Sequence, residues 1–319
     1  MTGPLLAIDT RGLTKTYGRA AAVDCVDLQV PAGGVYALLG TNGAGKTTTV
    51  RMLSTLVRPD AGTARVFGLD VVAHAGRVRS LIGVTGQYAS VDEDLTATEN
   101  LTIFARLVGA SRRQSRGRAD ELLAEFGLGA AADRAVRHFS GGMRRRLDLA
   151  ASMITRPRLL FLDEPTTGLD PRTRQQMWQT VRRMVADGST VLLTTQYLEE
   201  ADQLADRVAV MDHGRIVADG TADELKARIG DNCVRLDLRD PDLAPAAAAV
   251  CAVFAQEDVL LEEAERRVMV PMPDLESLPE MLLALRAAQI ELVAVNVERP
   301  TLDEVFFALT GDAEPGVAA

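Results

Sequence analysis

VYALLGTNGAGKTT, Val35 to Thr48, is the stretch on which the fold turns. Its first five residues are an apolar run that reads as a buried parallel strand. Gly40, Thr41, Asn42, Gly43, Ala44, Gly45, Lys46, Thr47 and Thr48 then match the phosphate-loop spacing G-x-x-x-x-G-K-[ST]. Glycines let such a loop wrap so that backbone N–H groups point inward at phosphate oxygens. The helix that follows, expected over about 46–57, presents its positive end to the same anion. Lys46 is placed to reach the β and γ phosphates, and Thr47 to offer its hydroxyl to Mg²⁺. The chain holds three lysines in all, Lys15, Lys46 and Lys226, so a chance Lys in a Gly-rich turn is remote.

Three further stretches bear on the same chemistry. LLFLDEP, Leu159 to Pro165, is a buried strand ending in two acids. Asp163 suits a hard cation and Glu164 an attacking water, although solvated acids at a strand end are the alternative on this stretch alone. In FSGGMRRRLDLA, Phe139 to Ala150, Ser140 is a natural N-cap, and Gly141 and Gly142 expose backbone N–H groups at a helix start. One nucleotide rarely needs two phosphate cradles from one chain, but two chains facing each other could put one of each on the same ligand. Taken alone, the stretch is equally a capped basic helix. In VLLTTQYLEEAD, Val191 to Asp202, an apolar run gives way to Thr194, Thr195 and Gln196, as where a buried strand delivers a side chain to a site.

Composition bounds the possibilities. The 319 residues are 47% hydrophobic but only 4% aromatic, so the core rests on Leu, Val, Ile and Ala. A net charge of −9 argues against nucleic acid as the main partner. Cys25, Cys233 and Cys251 are odd in number and lack metal-ligand spacing, which fits a reducing compartment. The start, MTGPLLAIDTRG, lacks the apolar core of a signal peptide. Residues 243–255 are Ala-rich, interrupted by Pro245 and too short to cross a bilayer, so any membrane role is expected to run through a partner.

Apolar runs alternating with helical patterns up to about residue 230 predict an α/β parallel sheet, with helices near 172–187 and 197–204 and a closing hairpin at 208–220. Residues 92–157 read as mostly helical, with the Arg-rich run RLVGASRRQSRGR, 106–118, as a polar connector. Beyond residue 228 the pattern predicts a small βαββαβ domain over 229–310 and a frayed tail over 311–319. In PTLDEVFFALTG, Thr301 and Glu304 form a capping box, and Leu302, Val305, Phe306 and Leu309 share one helix face. That domain serves either regulation and assembly or stability alone.

These parts in this order resemble the ATP-binding cassette (ABC) family, over about residues 5–228. The resemblance implies a P-loop cassette with a parallel-sheet core, an antiparallel β subdomain and a helical subdomain over about 90–157, carrying the small α+β domain behind it. Tyr17 in LTKTYG matches the aromatic that stacks on adenine. Gln87 in GVTGQY matches the glutamine that touches Mg²⁺ and couples to the membrane partner. Ser140, Gly141 and Gly142 match the signature motif, with Met143 where Gln is commoner; Asp163 and Glu164 match the metal-binding and catalytic acids; Gly168, Leu169 and Asp170 match the D-loop. Gln196 stands where most cassettes have His, beside the γ-phosphate. Residues 91–101, the run 194–207 and the ending 300–311 are similar to ATPase subunits of daunorubicin-resistance type drug exporters. The resemblance therefore implies ATP and Mg²⁺, a separate membrane permease, an ATP-dependent homodimer, a place on the cytoplasmic face of the membrane, and efflux of a hydrophobic, anthracycline-like compound. An importer ATPase and a soluble cassette doing non-transport work are the alternatives.

Overall fold

A computed structural model describes residues 5–86, 91–227, 233–255, 259–262, 267–272, 275–298 and 301–310. The chain divides into two compact units, Met1–Ala222 and Asp223–Ala319. The domain boundary expected from sequence and the tail over 311–319 lie outside the described residues.

The first unit opens with two long strands, β1 (Leu6–Tyr17) and β2 (Ala20–Pro31), followed by β3 (Val35–Leu39) and α1 (Lys46–Leu53). Next come β4 (Ala61–Val66), β5 (Leu69–Asp70), α2 (Ala75–Arg79) and β6 (Ile82–Thr85). Three helices form an insertion: α3 (Ala97–Leu107), α4 (Arg112–Glu125) and α5 (Gly141–Ser152). The core resumes with β7 (Leu159–Asp163), α6 (Pro171–Ala186), β8 (Thr190–Thr195), α7 (Leu198–Leu204), β9 (Arg207–Asp212) and β10 (Arg215–Gly220).

Two sheets result. An antiparallel sheet has the order β2-β1-β4-β5. A six-stranded sheet has the order β10-β9-β3-β8-β7-β6 and is parallel except for the β9–β10 hairpin. Every residue of β3, β7 and β8 is buried, which is why they read as unbroken apolar runs rather than alternating ones. Because these three strands are parallel, their carboxyl ends share one edge, where open α/β sheets take their ligands. The middle strand of the three is β8: Leu39 pairs with Thr195, and Asp163 with Thr194.

The Arg-rich run 106–118 is a connector only at its centre, which corrects the sequence expectation. After Gly109 (φ 96°) the chain caps a new helix: Ser111 Oγ accepts the Gln114 N–H, and Gln114 Oε1 accepts the Ser111 N–H at 2.9 Å. This capping box starts α4 at Arg112, so the arginines belong to a helix rather than a loop. The helix after the phosphate loop is also shorter than expected, ending at Leu53 because Thr55 takes φ 67°.

Across the division runs α8 (Ala222–Lys226), and the second unit continues with β11 (Cys233–Leu238), α9 (Ala244–Cys251), β12 (Leu260–Glu262), β13 (Arg267–Pro271), α10 (Leu278–Ala287), β14 (Leu292–Glu298) and α11 (Leu302–Thr310). Its sheet, in the order β12-β13-β11-β14, is antiparallel throughout. Val234, Leu236, Val268 and Val270 pack with Ala247, Met281 and Leu285 into a core of its own. Thr301 and Glu304 exchange hydrogen bonds at the head of α11, 3.3 Å and 2.8 Å long, and Leu302, Val305 and Phe306 are buried. Among the described residues no helix is long and apolar enough to cross a membrane.

Candidate active site

The phosphate loop is tightly enclosed. Gly45 takes φ 107°, and a Cβ there would lie 2.3 Å from the Ala22 carbonyl oxygen; a Cβ on Gly40 would lie 2.3 Å from that of Met211. Only glycine lets the loop pass so close to β2 and β9. No side chain caps α1, so its first N–H groups are left for a ligand to satisfy. The loop is braced from behind, where Ala44 O accepts the Gly214 N–H at 3.0 Å.

Lys46 is buried and donates to Gly40 O at 2.7 Å and Thr41 O at 2.9 Å, with its Nζ 4.0 Å from Glu164 Oε1. Burial pushes its pKa down, and the charges of Glu164 and Asp163 oppose that shift. A phosphate on the loop would compete with two neutral carbonyls for this ammonium, and a charge-assisted bond is the stronger.

The two acids at the end of β7 face different partners. Asp163 Oδ1 accepts the Thr194 hydroxyl at 2.5 Å and the Thr47 hydroxyl at 3.2 Å. Thr47 and Asp163 thus offer an all-oxygen donor set that suits Mg²⁺. Among the described residues no cluster of three His, Cys, Asp or Glu could hold a metal. Glu164 takes φ 48°, a left-handed backbone that costs a non-glycine residue on the order of 1–3 kcal/mol. Its N–H donates to Thr194 O at 3.1 Å, and its Oε2 accepts the Thr167 hydroxyl at 3.3 Å.

Around Lys46 lies a pocket of about 320 Å³, adjoining a cleft of about 660 Å³; both are lined by Asn42 and Glu164. Thr47 and Thr48 line the pocket, while Gln196, Gly141 and Gly168 line the cleft. The fold therefore brings the tip of β8 and the head of α5 to the space beside Glu164. Ser140 Oγ caps α5 by accepting the Met143 N–H at 3.3 Å, and a Cβ on Gly142 would lie 2.4 Å from Thr173 Cγ2.

Asp170 and Tyr17, both predicted site residues, line neither space. Asp170 caps α6, its carboxylate accepting the Thr173 N–H at 3.0 Å and the Thr173 hydroxyl at 2.6 Å; these bonds hold its pKa below the usual carboxylate range. Tyr17 ends β1, is 50% exposed and lines neither space; Lys15 Nζ lies 5.6 Å from its ring centre. Gln87 lies outside the described residues.

Some contributors carry weak sequence signals. Thr194 was visible as a polar residue inside a buried strand, but its bond to Asp163 depends on strand order. Glu200 is buried behind the β8 tip, where its Oε1 accepts the Trp178 Nε1–H at 3.3 Å and burial pushes its pKa up. Arg145, one of three consecutive arginines, donates to four backbone carbonyls: Pro165 and Asp163 at 3.0 Å, Glu164 at 3.1 Å and Gly86 at 2.7 Å.

A phosphate loop, an acid pair and a polar strand tip on the carboxyl edge of a mostly parallel sheet define a P-loop nucleotide hydrolase, and the Ser-Gly-Gly helix start narrows it to the ATP-binding cassettes. Residues 23–167 match the sequence profile of the ABC transporter family. The daunorubicin/doxorubicin resistance ATP-binding protein DrrA of Streptomyces peucetius is 54% identical over 314 residues, covering 97% of this chain and 94% of that protein. The Nod factor export ATP-binding protein I of Ralstonia nicotianae is 40% identical, covering 97% of this chain and 94% of that one. An ATP-binding cassette solved as a dimer in a post-hydrolysis state with ADP and Pi has the same fold, with a TM-score of 0.62 at 24% identity over 67% of this chain and 98% of that one. The chain belongs to the ABC transporter family, as an ATP-binding subunit of the daunorubicin-resistance type, and its activity is ATP hydrolysis.

Proposed function

We propose that this exporter ATPase energises efflux of a hydrophobic drug or natural product, anthracycline-like in class, through a separate permease at the cytoplasmic face of the membrane. The observation that carries the site assignment is that Lys46, Thr47, Asp163, Glu164 and Gln196 stand on one sheet edge, with the Ser140 helix start open to the same cleft. The cargo class is supported by the 54% identical relative named for daunorubicin and doxorubicin resistance.

On this reading two copies sandwich two ATP molecules, each bound by residues 40–48 of one copy and by Ser140, Gly141 and Gly142 of the other. The dimeric cassette of the same fold lends support to that arrangement. Within each site Lys46 leaves its two carbonyl partners for the β and γ phosphates. Thr47 and Asp163 would hold Mg²⁺, which would supply charge neutralisation at the phosphates. Glu164 orients and polarises the attacking water, and the Gln196 amide donates to a γ-phosphate oxygen. Phosphoryl transfer asks mostly for positioning and charge neutralisation, and these groups provide both. ATP joins the copies and its hydrolysis separates them. A permease seated near Gln87 and residues 91–101 would convert that closing and opening into alternating access, and Tyr17 would stack on the adenine.

Glu164→Gln tests the core of this assignment. It should bind ATP as the parent does, hydrolyse it about 10²–10³ times more slowly, and accumulate as an ATP-bound dimer in size-exclusion chromatography with Mg-ATP. Near-parent turnover would remove Glu164 from its role.

A further inference from the structure

One side chain bridges three parts of the site that are far apart in sequence. Arg145 sits on the first turns of α5, five residues past the Ser140 cap. Its Nε donates to Pro165 O at 3.0 Å, its Nη1 to Gly86 O at 2.7 Å, and its Nη2 to Asp163 O at 3.0 Å and Glu164 O at 3.1 Å. Three consecutive carbonyls on the turn after β7 are thus held by one planar cation, together with the carbonyl that follows β6. Four hydrogen bonds leave this guanidinium little to offer a phosphate, even though Arg145 lines the cleft.

The turn it holds is the strained one. Glu164 takes φ 48°, and a left-handed non-glycine residue persists only where its surroundings over-determine it. Here Thr194 fixes the Glu164 N–H from one side, and Arg145 fixes its C=O from the other. Without the second restraint the turn can relax toward an ordinary backbone, which would swing the carboxylate away from Lys46 and Thr167.

We infer that Arg145 is a positioning residue for hydrolysis: it locks the backbone of Glu164 in its left-handed turn and ties that turn to the start of the Ser140 helix. This rests on the assignment of Glu164 as the group that acts on the attacking water. Arg145 itself touches no reacting atom. Its contribution is geometric, and a displacement of about 1 Å at a reacting group can cost on the order of 10²-fold in rate. A lysine in its place keeps the charge but presents its donors from a single point, so it cannot bridge carbonyls spread around the edge of the guanidinium plane.

The test uses the full chain with Mg-ATP and the variants R145A, R145Q, R145K and E164Q, alone and combined. For R145A and R145Q, kcat should fall about 10–100-fold while ATP affinity, read by equilibrium binding, stays within about threefold. R145K should recover only part of the loss. In single-turnover experiments R145Q added to E164Q should cost less than about threefold further, because the group it positions is already gone. If R145A fails to fold, R145K and R145Q decide the matter. Parent kcat in R145K or R145Q, alongside a slow E164Q, would overturn the role of Arg145 alone. Equal losses in kcat and affinity, or full additivity with E164Q, would also overturn it in favour of a merely structural arginine. A near-parent rate in E164Q would overturn the underlying assignment instead.

Discussion

The chain carries two glycine-rich helix starts, and they differ in how each satisfies its own backbone. At the head of α1 the N-cap is Gly45, which has no side chain to offer, and the loop is pressed against β2 and β9 at distances only glycine tolerates. The N–H groups there are left to water or a ligand. At the head of α5 the cap is Ser140, whose hydroxyl already accepts the Met143 N–H, and a Cβ on Gly141 would meet open space. The first start forms a pocket with its own lysine and Glu164; the second faces a wider cleft and supplies one rim. Similar sequences thus make a complete cradle in one place and half of one in the other, and half a cradle implies that something else brings the remainder.

Four experiments would break or sharpen that contrast. The largest effect belongs to Glu164→Gln, described above, which should freeze the two starts together on uncleaved ATP. Next, Lys46→Ala should weaken ATP binding to the isolated chain by about 10–100-fold, the weight of a hydrogen bond to a charged group, whereas Ser140→Ala should leave that affinity within about twofold and slow hydrolysis about tenfold. Fluorescent-nucleotide titration paired with steady-state turnover separates the two; equal binding losses would erase the distinction. Third, Gln196→Ala should slow hydrolysis about tenfold with ATP binding kept, and Gln196→His should stay active while gaining a pH dependence between about 6 and 8. The smallest effect distinguishes the two glycines of α5. Gly142→Ala places a Cβ 2.4 Å from Thr173 Cγ2 and should cost about 1–3 kcal/mol of unfolding free energy, while Gly141→Ala should change stability by less than about 0.5 kcal/mol. Urea unfolding of the first unit's transition measures both.

Much of this candidate site is legible in the sequence. Residues 40–48 announce themselves because a phosphate cradle needs glycine and lysine at set spacing along one continuous loop. Asp163, Glu164 and Gln196 stand out because each follows a buried parallel apolar run that turns polar at its end. The run 106–118 misled because abundant arginine masked a Ser-x-x-Gln cap, a signal that was present and outweighed. Asp170 shows the opposite case: a motif match whose carboxylate, in the folded chain, is occupied with capping α6.

The sequence by itself determined the candidate chemistry, since a phosphate-loop spacing, an acid pair and a serine-capped Gly-Gly helix start are each written in a few adjacent residues. Only the tertiary structure decided how those pieces meet. Strand order placed β8 between β3 and β7 and so set Thr194 on Asp163 and Gln196 beside Glu164. Among Arg144, Arg145 and Arg146, identical in kind and consecutive in sequence, the 100° step of the helix pointed them in different directions, and packing alone selected Arg145 for the carbonyls after β7. Local spacing records what a loop can bind; it holds no record of which distant carbonyl a long side chain will find.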